Sequence, residues 1–208
     1  MAGLRIQQGS PSPKPLPKMA TRPPQLKTQR LLLRALRLAD APRVRRLAGE
    51  RAVASTTVRI PHPYEDGMAE QWIHEQQRRY RSGQEVSFAI VLRSRICLIG
   101  SIGLRLNPQH CRGELGYWIG KPYWNRGYAT EAAEAVLRYG FETLGLHRIC
   151  AYHFRRNRAS GRVLEKIGMI PEATLRQHVS KWGTFEDLEG YGILRSKYAA
   201  RSARGGVP

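Results

Sequence analysis

Trp124-Asn125-Arg126-Gly127-Tyr128-Ala129-Thr130-Glu131-Ala132 is the stretch on which the reading of this chain turns. It follows a strand-like run, Glu114 to Gly120, and opens a helix expected from about Thr130 to Leu144, with Gly145 as its C′ residue. A loop so placed gathers backbone N–H groups at a helix N-terminus. There, orphan donors and the positive end of the helix dipole favour phosphate oxygens. Gly127 lets the backbone come close to a ligand without a Cβ in the way. A plain strand-to-helix turn shares this outline. Two nucleotide-binding alternatives lack their signatures, since the loop supplies neither G-x-G-x-x-G nor G-x-x-x-x-G-K-[ST].

Outward from the loop, strands and helices come in clusters rather than in strict alternation. Upstream lie a short strand at Arg30–Arg34, a helix capped by Asp40 with Pro42 just inside it, and a rigid loop at Pro61 and Pro63. A second helix, capped by Asp66, carries Met68, Trp72 and Ile73 as its apolar stripe. Two strands, Val86–Leu92 and Ile96–Leu106, are joined by the turn Arg93-Ser94-Arg95. Downstream come a strand from His147 to Phe154, a helix capped by Asn157 and stopped by Gly168, and late strands near Leu175–Ser180 and Leu188–Lys197. No internal repeat is visible. The pattern predicts an α/β (α+β) fold with a mixed sheet.

The 208 residues suggest one domain with loose ends: residues 1–28 as a disordered, Pro-rich basic arm, 29–198 as the folded domain and 199–208 as a flexible basic tail. Met19 is a possible alternative start. The arm lacks the apolar h-region of a secretory signal. No apolar run reaches the roughly 18 residues a spanning helix needs, so no membrane partner is expected. The balance of 35 Lys+Arg against 16 Asp+Glu gives +19 and favours anionic partners such as RNA, a ribosome surface or a polyphosphate cofactor. Solvated tails in an Arg-rich protein would look the same. Cys97, Cys111 and Cys150 are odd in number and have no metal spacing. They suit a reducing, cytoplasmic setting, and no metal site is expected.

Asn125 to Ala132 resembles the acetyl-CoA pyrophosphate loop of the GNAT N-acetyltransferases, whose core reads Q/R-x-x-G-x-G/A. Gly127 and Ala129 match its last two fixed positions. Trp124 stands at the Gln/Arg position, and Asn125 replaces a usual glycine; members of the RimJ/RimL type often read Tyr-Trp-Gly-x-Gly here. Gly116-Tyr117-Trp118-Ile119-Gly120 is similar to the family strand along which pantetheine pairs with exposed backbone. Asn157 through Met169 resembles its N-x-x-S/A-x-x-x-L-x-K-x-G-F segment, and Thr28 to Arg34 its opening strand. The resemblance, from about Thr28 to Tyr198, implies a mostly antiparallel sheet of six to seven strands flanked by helices and splayed between the fourth and fifth. It also implies acetyl-CoA as co-substrate, touched by Trp118, Ile119, Gly120, Trp124, Asn125, Arg126, Gly127, Tyr128, Ala129, Thr130 and Asn157.

Making an amide from a thioester needs a neutral amine, a polarised carbonyl and a proton source for the leaving thiolate. Many GNAT enzymes place a glutamate working through water where this chain has Glu114, which could also be an ordinary surface acid. Ser160, one helical turn after Asn157, is the candidate to hydrogen-bond the departing sulfur. Local capping is its bland alternative, and other members use a tyrosine four residues on, where this chain has Leu164. His62 and His153 could touch substrate, although lone histidines are more often structural. Trp72, Tyr117, Trp118 and Trp182 read as core or pocket wall, without the aromatic alternation of an RNA platform. The expected acceptor is a primary amine, first a ribosomal-protein-like N-terminus and next a polyamine, antibiotic or amino-acid analogue. A non-catalytic nucleic-acid-binding protein is the third reading, and the protein would be a monomer or a homodimer.

Overall fold

The computed structural model describes residues 16–17 and 19–203; the arm and tail expectations for 1–15, 18 and 204–208 lie outside the described residues. One eight-stranded sheet runs in the order β1-β2-β3-β4-β5-β6-β8-β7, with β1 Leu26–Lys27, β2 Leu31–Ala35, β3 Glu85–Leu92, β4 Cys97–Asn107, β5 Arg112–Ile119, β6 Arg148–Phe154, β7 Ile170–Lys181 and β8 Thr184–Leu194. Every neighbouring pair is antiparallel except β5 and β6. The strand beyond the expected six to seven is β1. It pairs with Leu32 and Leu33 inside the stretch read as arm, because Leu26 can pack on the core while its backbone extends the sheet edge.

Among the described residues six α-helices flank the sheet: α1 Ala41–Ala48, α2 Arg51–Ala54, α3 Met68–Arg81, α4 Tyr128–Arg138, α5 Arg158–Lys166 and α6 Arg195–Ala203. They cover both faces, and β3 shows why its sequence is almost unbroken in apolar residues. Phe88, Ile90 and Leu92 join the core beneath α4 and α5, while Ala89 and Val91 join Val44, Leu47 and Ile73 beneath α1 and α3. Burying each such large side chain contributes roughly 1.5–3 kcal/mol.

Several local expectations change. Asp40 precedes α1, yet its carboxylate makes no cap bond. It accepts two 2.7 Å bonds from Arg34 and one of 2.8 Å from the Arg37 amide, a stronger use of a buried charge. Gly67, with φ of 80°, rather than Asp66, precedes α3. The last strand stops at Leu194, and Arg195 begins α6, which occupies residues expected to be strand and tail. Tyr198 of α6 stacks on Phe141 at 4.9 Å, giving that helix a tertiary anchor that its sequence alone did not advertise.

The feature that positions the site is the seam between β5 and β6. Their parallel pairing covers only Arg112–Leu115 against Arg148–Ala151, whereas β5 stays paired to β4 through Ile119. From Gly116 onward the two strands part, as the resemblance implied. A Cβ placed on Gly116 would meet nothing within 4 Å.

Candidate active site

A cavity of about 1280 Å³ passes through the splay and joins the helix α4 end of the sheet to the α2–α3 loop. At the α4 end the loop is held by its own residues. The Trp124 indole donates to Ile119 O at 2.6 Å, tying the loop to the last residue of β5. Asn125 (φ 58°) and Gly127 (φ 76°) are both left-handed, conformations that Asn tolerates and Gly favours. Consequently the N–H groups of Asn125, Arg126, Gly127, Tyr128, Ala129 and Thr130 have no acceptor among the described residues; the first bonded amide is Glu131, to Gly127 O at 3.1 Å. Successive free donors in a turn of this shape, backed by a helix dipole, form an anion cradle.

Behind the cradle is a clasp that the sequence reading missed. Glu131 accepts bonds from Thr28 Oγ1 (2.6 Å), the Arg30 amide (2.8 Å) and Arg30 Nε (2.7 Å). The other end of that guanidinium donates to Arg126 O at 3.0 Å, and the group lies 4.7 Å from the Tyr128 ring centre. Burial works to raise the Glu131 carboxyl pKa, but the bonds from Thr28 and Arg30 outweigh it and hold the group below its ordinary range. An acidic residue in the first turn of a helix was the available signal.

Within the splay, the Tyr117 hydroxyl and Ser160 Oγ are 2.7 Å apart. Burial pushes the Tyr117 phenol up to about 12, offset only partly by that hydrogen bond. Asn157 caps α5 as expected, its Oδ1 accepting from Ser160 N at 3.2 Å. Leu164 is buried at 1% exposure on the same helix.

Glu114 lies at the other end of the cavity, facing Arg105 across β4 and β5. Its Oε1 is 3.7 Å from Arg105 Nη1 and 3.8 Å from Arg59 Nη2, too long for hydrogen bonds. Arg105 in turn sits opposite Glu85, whose carboxyl is pushed up by burial against the lowering effect of Ser87 and Arg79. The roof of this end is the segment between α2 and α3. Lys181 at the end of β7 donates to Ile60 O at 2.7 Å, and Arg156 in the β6–α5 turn donates to Ser55 O at 2.7 Å, fastening that segment to the far side of the sheet.

The remaining candidates divide. Trp118, Ile119 and residues 124–130 line the cavity with Glu114, Asn157 and Ser160. Gly120 does not: its amide is taken by Ile99 O at 2.9 Å, and a Cβ there would sit 2.8 Å from Leu47. His62 is exposed beside Trp182, at 5.7 Å. His153 is buried, with Nδ1 2.8 Å from Phe154 O and Nε2 without a partner among the described residues. Among the described residues no three His, Cys, Asp or Glu side chains gather to hold a metal, and no helix is long and apolar enough to cross a membrane.

The arrangement joins an anion cradle to an open strand edge, a hydroxyl pair and a carboxylate. Proteins similar to this chain in sequence and fold are named as acetyltransferases. YoaA, an uncharacterised N-acetyltransferase of Bacillus subtilis, is 39% identical over 119 residues, 57% of this chain and 67% of its own. YdaF, a putative ribosomal N-acetyltransferase of the same organism, is 28% identical over 64% of this chain and 72% of its own. The spermidine N(1)-acetyltransferase of Vibrio cholerae is 27% identical over 83% of this chain and 97% of its own. A GNAT-family acetyltransferase structure from Bacillus anthracis superposes with a TM-score of 0.74 at 27% identity, covering 83% of this chain and 99% of that one. Enzymes of this kind take their acetyl group from acetyl-CoA. The profile of the acetyltransferase (GNAT) domain matches residues 30–170, and the chain belongs to that family as an N-acetyltransferase.

Proposed function

We propose that acetyl-CoA lies through the splay and that the chain acetylates a primary amine, foremost the α-amine of a peptide or protein N-terminus. The observation that carries the reading is the run of unpartnered amides from Asn125 to Thr130, opening onto the unpaired edge of β5. Those amides and the α4 dipole would hold the pyrophosphate, and Gly116–Ile119 with Asn157 would run beside the pantetheine chain. Acetyl-CoA supplies the activated thioester when bound. Ser160 would donate a hydrogen bond toward the departing sulfur, and Glu114 would draw the proton from the amine directly or through water. Holding the two reactants in one cavity supplies much of the remaining rate.

Two arguments favour an α-amine. At pH 7 an α-amine costs only about 1 kcal/mol to deprotonate, whereas a lysine costs about 4.6 kcal/mol, and Glu114 is the single base candidate. The acceptor end also lacks the surplus of acid a polyamine would seek: Glu75 is bonded to Arg79, and Glu85 and Glu114 each lie within reach of an arginine. Ribosome proximity is consistent with the net charge of +19 and with the ribosomal relative, and a reducing cytoplasm with the odd count of three cysteines. Thiol release from acetyl-CoA, measured over N-terminal peptides, polyamines and aminoglycosides, tests the assignment. Turnover confined to spermidine-like amines would overturn the peptide reading while leaving the acetyltransferase intact.

A further inference from the structure

The splay does more than admit a cofactor. Leu115 is the last β5 residue paired to β6, so the next cavity-facing side chain, Tyr117, reaches past the missing partner strand to helix α5. It ends against a single residue there. Its hydroxyl is 2.7 Å from Ser160 Oγ and 3.5 Å from Ser160 O, and no other partner exists for it among the described residues. Ser160 Oγ likewise has no other hydrogen bond among the described residues, while its amide is fixed by Asn157.

We propose that Tyr117 is a positioning residue, donating its phenolic proton to Ser160 Oγ so that the serine's own proton is turned into the cavity. The proposal rests on the reading of Ser160 given above. Each hydroxyl carries one proton, so two orientations exist, and only one leaves a proton free for the thioester side. A phenol is the stronger acid and the poorer acceptor of the two. Its other acceptor, the Ser160 carbonyl, is more distant, so the short bond is the one a desolvated phenol takes. With its ionisation pushed up to about 12, the phenol stays protonated throughout the range in which an amine substrate titrates.

No bond to hydrogen breaks at either residue in this arrangement. Ser160 keeps its proton and donates a hydrogen bond to the sulfur, which departs as the CoA thiolate and takes its proton from water, while the amine proton leaves separately through Glu114. Leu164, one turn further along α5, is apolar, which leaves Ser160 as the hydroxyl of that helix facing Tyr117.

A double-mutant cycle on the full chain tests the pairing, with peptide acetylation and acetyl-CoA as the probes. Tyr117→Phe and Ser160→Ala each remove one oxygen from the cavity wall, and melting curves check that both variants fold. Tyr117→Phe should lower kcat about 3–10-fold, the size of one hydrogen bond, with KM for acetyl-CoA unchanged. In the Ser160→Ala background the same substitution should change kcat by less than about twofold, because the group it orients is gone. An equal loss in both backgrounds would overturn the pairing and make Tyr117 an independent contributor. A silent Tyr117→Phe beside a defective Ser160→Ala would also overturn it, leaving Ser160 as it stands. Full activity in Ser160→Ala would instead remove the underlying reading of the serine, and the pairing with it.

Discussion

The two ends of the cavity are built on different principles. At the α4 end, the binding groups are consecutive backbone amides held by the left-handed Asn125 and Gly127 and by the start of a helix. At the acceptor end, the walls are side chains from β3, β4, β5, β7 and the α2–α3 segment, joined by bonds such as Lys181 to Ile60 O and Arg156 to Ser55 O. On the reading proposed above, the first end would recognise a group common to every reaction of the family, and it can be built from one short peptide. The second would have to fit a particular amine, and it depends on residues as far apart as Lys181 and Ile60, 121 positions from each other. Conformation sets the first, and long-range packing sets the second.

The largest expected effect follows from conformation. Gly127→Val forces a β-branched residue into left-handed backbone, and its Cβ would stand 3.3 Å from the Arg30 guanidinium. Calorimetry should show acetyl-CoA affinity falling by at least about tenfold, the scale of a lost backbone geometry worth 1–3 kcal/mol. Unchanged affinity would remove the loop from the site.

The clasp behind the loop gives the next effect, and its sign follows from Glu131. Its folded pKa lies below the ordinary value, so its stabilisation is fully present above that ordinary value and is lost as pH falls through the depressed one. Glu131→Gln should therefore be less stable than wild type near neutrality, and the gap should close only as pH falls below the ordinary carboxylate range and through the depressed Glu131 value. Melting temperatures measured from pH 3 to 7 would contradict the clasp if the gap stayed constant.

A smaller effect belongs to the acceptor end. Lys181→Met removes the cation that fastens the α2–α3 segment while keeping much of the stem's packing. KM for the amine should rise a few-fold, on the order of one or two lost hydrogen bonds, with calorimetric CoA affinity unchanged. A shift in CoA affinity instead would mean that the two ends are coupled. The smallest effect is expected from starting the chain at Met19, which removes Leu16 from the core edge but keeps Met19 and Leu26 packed there: activity and melting temperature should stay near wild type.

The same contrast explains what the sequence could reveal. The loop, the Asn157 cap and the splayed strand were legible because each is a local pattern, with Gly127, Asn157 and the β5 run carrying their own conformational demands. Strand β1 and helix α6 were not, since both are held by tertiary contacts of Leu26 and Tyr198 that short polar-rich segments do not announce. Gly120 looked like part of the cofactor strand, yet Ile99 takes its amide and Leu47 fills its flank. Tyr117 read as pocket wall, because its meeting with Ser160 requires knowing where β6 turns away.

The central claim is that Glu114 and Ser160 serve opposite sides of one acetyl transfer. The pH dependence of kcat for Glu114→Gln beside Ser160→Ala tests it most directly. Both should lose about 10–10³-fold near neutrality, since approximation still supplies part of the rate. Glu114→Gln should recover part of its loss at high pH, where more of the amine is already neutral, while Ser160→Ala should stay depressed throughout. Parallel profiles with no recovery would contradict Glu114 as the base.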